Sequence, residues 1–581
     1  MRVAEERTFT THDGTELFYR HWPPAKGRAD RAIVLFHRGH EHSGRLQHIV
    51  DGLALDDFAM FAWDARGHGR SPGPRGDSPG FAASVKDVDA FIRHVAARHS
   101  IPIENIVVIA QSVGAVLIST WAHDYAPRVR CLVLAAPAFR VKLYVPFART
   151  GLKLMYGLRG NFFVNSYVKA KFLTHDPERI RSYENDPLIT RAISVRILLA
   201  LYDAAERVVP DAHAIRLPVQ LLISGADWVV DRWPQHEFFE RLGSIVKERH
   251  EFPGFYHDTL GEKERGQAFE KIRRFIGLLF AQSPLVPSLL QEDQRGYTKE
   301  EQARLGSPLP SLSFRNLGFG MARLSMRTLG RLSEGIRLGI RTGFDSGSTL
   351  DYVYRNRANG ITPLGRMIDR NYLDSIGWQG IRVRKKHLER AIAAAARDLG
   401  LRNRPVRIAD IAAGHGRYVL EAVARLAPKP ESVLLRDFSD INVRDGAALI
   451  GEKGLRNIAR FVKGDAFDED SVASITPRPT IAIVSGLYEL FPDNAPVARS
   501  LRGLARAVEV GGRLIYTGQP WHPQLELIAR TLTSHRGGQA WVMRRRTQAE
   551  LDQLVASAGF EKLEQWTDEW GIFTVSLAAR V

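Results

Sequence analysis

Apolar and polar positions alternate over residues 8–22 around Asp13-Gly14, the period of a β-hairpin with its turn at the centre. Residues 32–36 and 58–63 are apolar runs of strand length, and 87–97 carries helical spacing. Residues 106–109 form a third apolar run rich in β-branched side chains. A tight turn through Ala110-Gln111-Ser112-Val113-Gly114 follows it. Then Val116, Leu117, Ile118 and Trp121 recur at helical steps. Further apolar runs centre on Val133 and cover 219–223. Strands alternating with helices predict a mostly parallel α/β sheet over the first half.

The pattern breaks twice. Between Pro137 and Pro210, apolar clusters around Tyr144, Met155 and Phe163 are interleaved with Arg and Lys, which predicts a helical cap over about 138–210. A polar stretch at 291–306, flanked by prolines, marks a domain boundary. Beyond it Arg323, Arg327, Arg331, Arg337 and Arg341 recur against Leu324, Leu329, Leu332, Ile336 and Ile340. This is the pattern of a basic amphipathic helix within 315–344. Such a helix can lie on an anionic membrane, or pack on a neighbouring domain with its arginines solvated.

Alternation resumes at 388–399, an alanine-rich helix, and at 405–409, a strand. Strands are predicted at 432–437, at 461–463, at 480–485 and after the glycine pair Gly511-Gly512, with a closing antiparallel pair near Phe560 and over 572–577. The expected organisation is an α/β domain over 1–285, a linker over 286–344, and a second α/β domain over 345–581.

Composition adds limits. At 581 residues the chain exceeds what one core can serve. Its single cysteine, Cys131, excludes a disulfide framework. No charged leader with an apolar stretch and no apolar run of about 18 residues is found, so a cytoplasmic chain is expected. The formal charge is +17, with 38 basic against 32 acidic residues over 1–285 and 43 against 32 thereafter. Anionic lipid, nucleic acid and anionic substrates are all compatible with that excess. No RNA-binding module accompanies it, so nucleic acid is not the expected partner.

Ser112 sits on a strand-to-helix turn with small residues two before and two after, the pattern of a nucleophile elbow. Phe36-His37-Arg38-Gly39-His40-Glu41-His42-Ser43-Gly44 and Asp64-Ala65-Arg66-Gly67-His68-Gly69-Arg70-Ser71 lie on the strand ends around it. Together these motifs resemble the monoacylglycerol lipase/lysophospholipase group of α/β-hydrolases over residues 8–280. The resemblance implies an acid and a base in the order Ser, Asp, His, and Asp227 and His257 match those positions, with Asp231 the runner-up acid. It implies an oxyanion hole from the backbone amides of Val113 and Gly39, although Arg38 and His40 replace small residues there. It implies no metal, with His40, His42 and His68 serving loop packing; the cap segment itself reads either as an ordinary helical insertion with its own small core or as a lid over an acyl pocket, basic enough to face an anionic bilayer.

In the second half, Asp410-Ile411-Ala412-Ala413-Gly414-His415-Gly416 joins a strand to a helix, the form of a nucleotide-binding loop. Asp437 ends the next strand, where a carboxylate can accept two ribose hydroxyls. Gly464-Asp465-Ala466 supplies an acid placed for an adenine amino group. The series resembles class I S-adenosylmethionine-dependent methyltransferases over 345–581. It implies a cofactor site at Asp410, Ala412, Gly414, Gly416, Asp437, Asp465 and Ala466. Tyr488 and Glu489 are candidate bases near the fourth strand, and 343–354 is placed to cover the acceptor.

The order of the halves resembles bacterial fusions of an α/β-hydrolase with a class I methyltransferase. The expected function is a bifunctional enzyme: a serine hydrolase of lipid-type esters joined to a methyltransferase, working at the inner face of the cytoplasmic membrane. The alternatives are one active half with a scaffold partner, and a nucleic-acid methyltransferase.

Overall fold

The computed structural model describes residues 2–27, 30–166 and 168–581. The chain divides into two compact units, Met1–Pro287 and Ser288–Val581.

The first unit opens with β1 (Glu5–Thr10) and β2 (Glu16–Trp22), antiparallel across the Asp13-Gly14 turn. It continues through β3 (Ala32–Phe36), β4 (Ala59–Trp63), β5 (Ile106–Gln111) and β6 (Cys131–Ala135), every residue of which is buried. Next come β7 (Phe163–Asn165) and β8 (Ala192–Ser194), then β9 (Val219–Ser224) and β10 (Lys247–Phe252). The eight-stranded sheet runs β1-β2-β4-β3-β5-β6-β9-β10, parallel from β4 onward. Its central strands read as unbroken apolar runs because both faces are covered. Val34, Val108 and Leu132 turn to the helices Phe81–His99 and Val113–Tyr125. Their neighbours Ile33, Val107 and Val133 turn to Gln47–Leu53 and Gly266–Phe280.

The cap between β6 and β9 is helical, as its spacing predicts, with helices Ala148–Arg159, Pro177–Asn185 and Val195–Val208. It also holds the short antiparallel pair β7–β8, which the sequence pattern did not announce. Helix Ala148–Arg159 buries no residue, and Phe147, Leu154 and Leu158 are exposed.

The second unit is built on β11 (Arg407–Asp410), β12 (Ser432–Asp437), β13 (Ala459–Lys463), β14 (Ile481–Val484), β15 (Arg513–Gly518), β16 (Phe560–Thr567) and β17 (Thr574–Arg580). The order is β13-β12-β11-β14-β15-β17-β16. The first five strands are parallel, and β17 enters antiparallel to β15. The strand order reverses beside β11, the switch point at which open α/β sheets form a crevice.

The basic amphipathic helix expected within 315–344 is not one helix, and the segment ahead of it is helical as well. Residues 297–342 fold as Tyr297–Gly306, Phe314–Arg327, a 3-10 turn Leu329–Leu332 and Glu334–Thr342. The break is chemical: the Ser333 hydroxyl accepts from the Ile336 amide and caps a new helix start. Leu305, Ile336 and Phe344 join a core cluster of the second unit with Trp378, Ile528 and Trp541.

Candidate active sites

Ser112 holds φ +57° and ψ −119°, a strained conformation for a residue with a Cβ. Its amide donates to Ala135 O, and its carbonyl accepts from Ala115, Val116 and Ala138. A Cβ on Gly114 would stand 2.5 Å from His37 O and 3.0 Å from Phe36 O, so strand β3 admits only glycine there. The turn that presents the hydroxyl is thus fixed by both neighbouring strands.

The parallel sheet brings the loops after β5, β9 and β10 to one edge. Ser112 Oγ lies 2.7 Å from His257 Nε2, and His257 Nδ1 lies 2.7 Å from Asp227 Oδ2. Asp227 Oδ1 accepts from the Val229 and Val230 amides at 2.7 and 3.0 Å. Burial alone would raise the Asp227 carboxyl; His257 and the two amides outweigh it and hold the group below the ordinary carboxylate range. Asp231 is elsewhere, paired with Arg140 at 3.2 Å.

Gly39 and Val113 are brought together, with a Cβ on Gly39 lying 3.2 Å from Val113 Cγ2. Among the described residues neither amide has a hydrogen-bond partner. Arg38 does not disturb this loop, because its guanidinium turns inward to Glu41 at 2.7 Å and lies over the Tyr183 ring. His40 takes φ +66°; burial, then the nearby Arg38, push its imidazole down to about 4, so it is neutral.

One cluster beside this site has no local sequence signature. Gln111 Nε2 donates to Asp258 Oδ1 at 2.9 Å, and Arg179 of the cap donates to Asp258 Oδ2 from Nη2 at 3.0 Å. Burial would raise the Asp258 carboxyl, but Arg179 and Arg38 hold it well below its usual range. The only hint in the sequence was two polar residues flanking the expected nucleophile and base.

In the second unit a cavity of about 710 Å³ opens at the strand-order reversal. Ala412, Gly414, Gly416, Asp437, Asp465 and Ala466 line it. Gly416 takes φ +72°, and a Cβ there would meet Leu435 Cδ1 at 2.4 Å, so the loop requires glycine twice over. Asp437 Oδ2 accepts from the Gly414 amide at 2.9 Å, which ties the β12 end to the loop after β11. Asp465 is exposed and accepts from the Phe467 amide at 2.8 Å.

Asp410 departs from the expected set. It is fully buried and is not part of the cavity wall; its carboxyl accepts from the Ala412 amide at 3.3 Å and from the Tyr418 hydroxyl. Burial pushes it up to about 7. It shapes the loop from behind, its carboxyl held inward by the Ala412 amide and the Tyr418 hydroxyl. Tyr488 departs likewise: it is buried, donates to Ser500 Oγ at 2.9 Å, and is raised by burial. Glu489 accepts from Thr517 at 2.7 Å and is not part of the wall.

Residues 345–348, Leu350, Asp351 and Tyr354 do line the cavity. His535 lines it beside them, its Nδ1 3.0 Å from the buried Asp345. Arg384 also reaches the cavity, buried, with its Nε unpartnered among the described residues, as is Ser485 Oγ.

Comparison with known proteins decides the family. Residues 272–580 match the family described as "Putative methyltransferase", starting within the helix Gly266–Phe280. The chain belongs to this family. Residues 27–264 match a second family, "Serine aminopeptidase, S33". YnbC of Escherichia coli (strain K12) is 57% identical over 580 residues, spanning 100% of this chain and 99% of its own. Phospholipase YtpA of Bacillus subtilis (strain 168) is 25% identical, over 43% of this chain and 96% of its own. Monoglyceride lipase of Mus musculus is 29% identical, over 42% of this chain and 80% of its own. Among solved structures, the Paleococcus ferrophilus monoacylglycerol lipase aligns at TM-score 0.40 and 25% identity, over 48% of this chain and 100% of its own. This member of the methyltransferase family therefore carries an S33-type α/β-hydrolase domain ahead of a Rossmann-like methyltransferase domain. No helix among the described residues is long and apolar enough to cross a membrane.

Proposed function

We propose that the chain is bifunctional: a serine hydrolase of lipid-type carboxylic esters, followed by an S-adenosylmethionine-dependent methyltransferase. The observation that carries the first activity is the unbroken chain from Ser112 Oγ through His257 to Asp227, both links 2.7 Å. In it, the Ser112 hydroxyl donates to His257, and Oγ attacks the ester carbonyl as His257 takes the proton. The amides of Val113 and Gly39 receive the oxyanion. His257 returns the proton to the departing alcohol, and water then releases the acyl group by the same route. Asp227, kept ionised, stabilises the charged imidazole. The relatives named as a phospholipase and as monoglyceride lipases support a lipid ester as substrate. The exposed apolar cap residues support a lid that meets it at an anionic bilayer. Ser112→Ala is expected to abolish p-nitrophenyl ester hydrolysis and fluorophosphonate labelling, and persistent labelling refutes the nucleophile.

The second activity rests on the cavity at the strand-order reversal. Its volume falls in the range of roughly 300–1,000 Å³ usual for cofactor sites. Its donor set fits S-adenosylmethionine: Asp437 for the ribose hydroxyls, Asp465 for the adenine amino group, and the backbone from Ala412 to Gly416 for the amino-acid end. When bound, that cofactor supplies an electrophilic methyl group. The chain supplies orientation and exclusion of water. His535, steadied at Nδ1 by Asp345, keeps Nε2 to accept a proton from an acceptor on the cover side. Calorimetric titration with S-adenosylmethionine tests the site, and absence of binding removes this activity.

A further inference from the structure

The helix Phe314–Arg327 is unusual within the second unit. It has no buried residue, yet Phe314, Leu317, Met321 and Leu324 fall on one face, at steps of three and four. Phe314 is 92% and Met321 72% exposed. The opposite face holds the helix to its own unit. Arg323 donates to Arg530 O at 2.8 Å, and Arg315 pairs with Glu526 at 2.5 Å. Phe319, Ala322 and Met326 on that inner side are partly buried, Met326 against the unit's core cluster, so the helix already has an inward apolar contact and its outward apolar face is surplus to core packing.

The surface extends through the adjoining turn. In the 3-10 segment Leu329–Leu332, Leu329 is exposed. Leu332 O accepts from the Ile361 amide at 3.1 Å, and a Cβ on Gly365 would lie 2.3 Å from the same oxygen. That close seating brings in helix Pro363–Leu373, which exposes Leu364 and Met367.

Charge selects the occupant. The acids on these elements are already used: Glu334 pairs with Arg337, Asp374 with Arg370, and Asp369 is buried and accepts from Ser333, Gly335, Tyr352 and Asn359. Arg327, Arg331 and Arg366 are exposed and have no acidic partner among the described residues. A second copy docking through the same patch would set these like charges against one another. A bilayer bearing anionic headgroups satisfies both parts: acyl chains for Phe314, Leu317, Met321 and Leu324, and headgroups for the arginines.

We propose that the Phe314–Arg327 face, with Arg327, Arg331 and Arg366, docks the second unit on an anionic membrane surface. Helix Glu334–Thr342 leads from this patch to the cavity wall at Arg341 and Thr342, about 13 Å along its axis. The proposal does not depend on the methyltransferase reading.

The test is sedimentation of the full chain with vesicles of phosphatidylcholine alone and of phosphatidylcholine with about one quarter phosphatidylglycerol. Binding is expected only to the anionic vesicles and is expected to weaken with salt. The double variant Phe314→Ser/Met321→Ser is expected to bind at least about tenfold more weakly. The variant Arg327→Ala/Arg331→Ala is expected to weaken binding and flatten its salt dependence. The cap variant Leu154→Ser/Leu158→Ser removes the lid's own contribution and is expected to lose less binding than Phe314→Ser/Met321→Ser. Absence of wild-type binding, full binding by the Phe314 variant, or loss only in the cap variant overturns the proposal. So does a wild-type dimer in analytical ultracentrifugation that Phe314→Ser dissociates. The substituted side chains are exposed, so circular dichroism should match wild type. Titration with S-adenosylmethionine in the absence of vesicles reports separately on the cavity.

Discussion

Gln111 and Asp258 are hydrogen-bonded at 2.9 Å, and they are the immediate chain neighbours of Ser112 and His257. A link between the residue before one and the residue after the other fixes the spacing of the hydroxyl and the imidazole. Arg179, which reaches Asp258 from the cap, ties the cap to the same point. Arg179→Ala is expected to lower kcat/KM for a p-nitrophenyl ester about tenfold or more through misplacement of His257. Fluorophosphonate labelling should slow in parallel, and Arg179→Lys should restore part of it. An unchanged labelling rate in Arg179→Ala would mean the link is structural only.

Gly114 offers a sharper geometric check. A methyl group there meets two carbonyl oxygens of the β3 end at 2.5 and 3.0 Å. Backbone cannot yield as a flexible side chain does. Gly114→Ala is expected to cost about 1–3 kcal/mol by overpacking and to remove most esterase activity. Wild-type melting and turnover would show that the elbow is looser than this.

The two units should respond oppositely to pH. Asp227 and Asp258 are held below their usual value of 3.8, so at intermediate pH the folded state binds fewer protons than the unfolded one. Their stabilisation is full above about pH 4 and is lost as pH falls through the folded values. Asp410 is raised to about 7, so between about pH 4 and 7 the folded state binds the extra proton. Its contribution is present at the acid end and is lost as pH rises through 7. Melting curves across pH 4–8 should show the second unit weakening as pH rises, and Asp410→Asn should flatten that slope. A slope unchanged in Asp410→Asn would place the cause elsewhere.

The cavity separates binding from chemistry. Asp437→Ala removes the proposed ribose acceptor and also frees the Gly414 and Ser439 amides that its carboxylate holds. Calorimetry should show S-adenosylmethionine binding weakened at least about tenfold, the loss of hydrogen bonds to a charged group. His535→Ala should bind the cofactor within about twofold of wild type, since a proton acceptor on the cover side adds little to ground-state affinity. A large loss of binding in His535→Ala would move that residue into the cofactor site.

Much of this was legible before any coordinates. Periods of two and 3.6 reveal strands and helices because they depend only on which face each residue shows to its neighbours in the chain. Ser112 and Gly114 were readable because an elbow is a local steric problem with a local solution. The glycines of the loop after β11 were readable for the same reason. The sequence by itself therefore determined two α/β units, the strand ends from which Ser112 and Asp227 project, and the loop that borders the cavity, whereas β10, the polar Lys247–Phe252 strand ahead of His257, carries no apolar run to announce it.

Tertiary structure decided the partnerships. Arg179 and Asp258 are 79 residues apart, and Asp345 and His535 are 190 apart. No periodicity records such pairs, because they form only when separately specified elements pack. The same packing turned Asp410 into the interior and Tyr488 towards Ser500. It also left one helix of the arginine-rich segment, Phe314–Arg327, with an apolar face outward. Side-chain partners are chosen by the free energy of burial and charge pairing in the assembled fold, and that energy has no local signature.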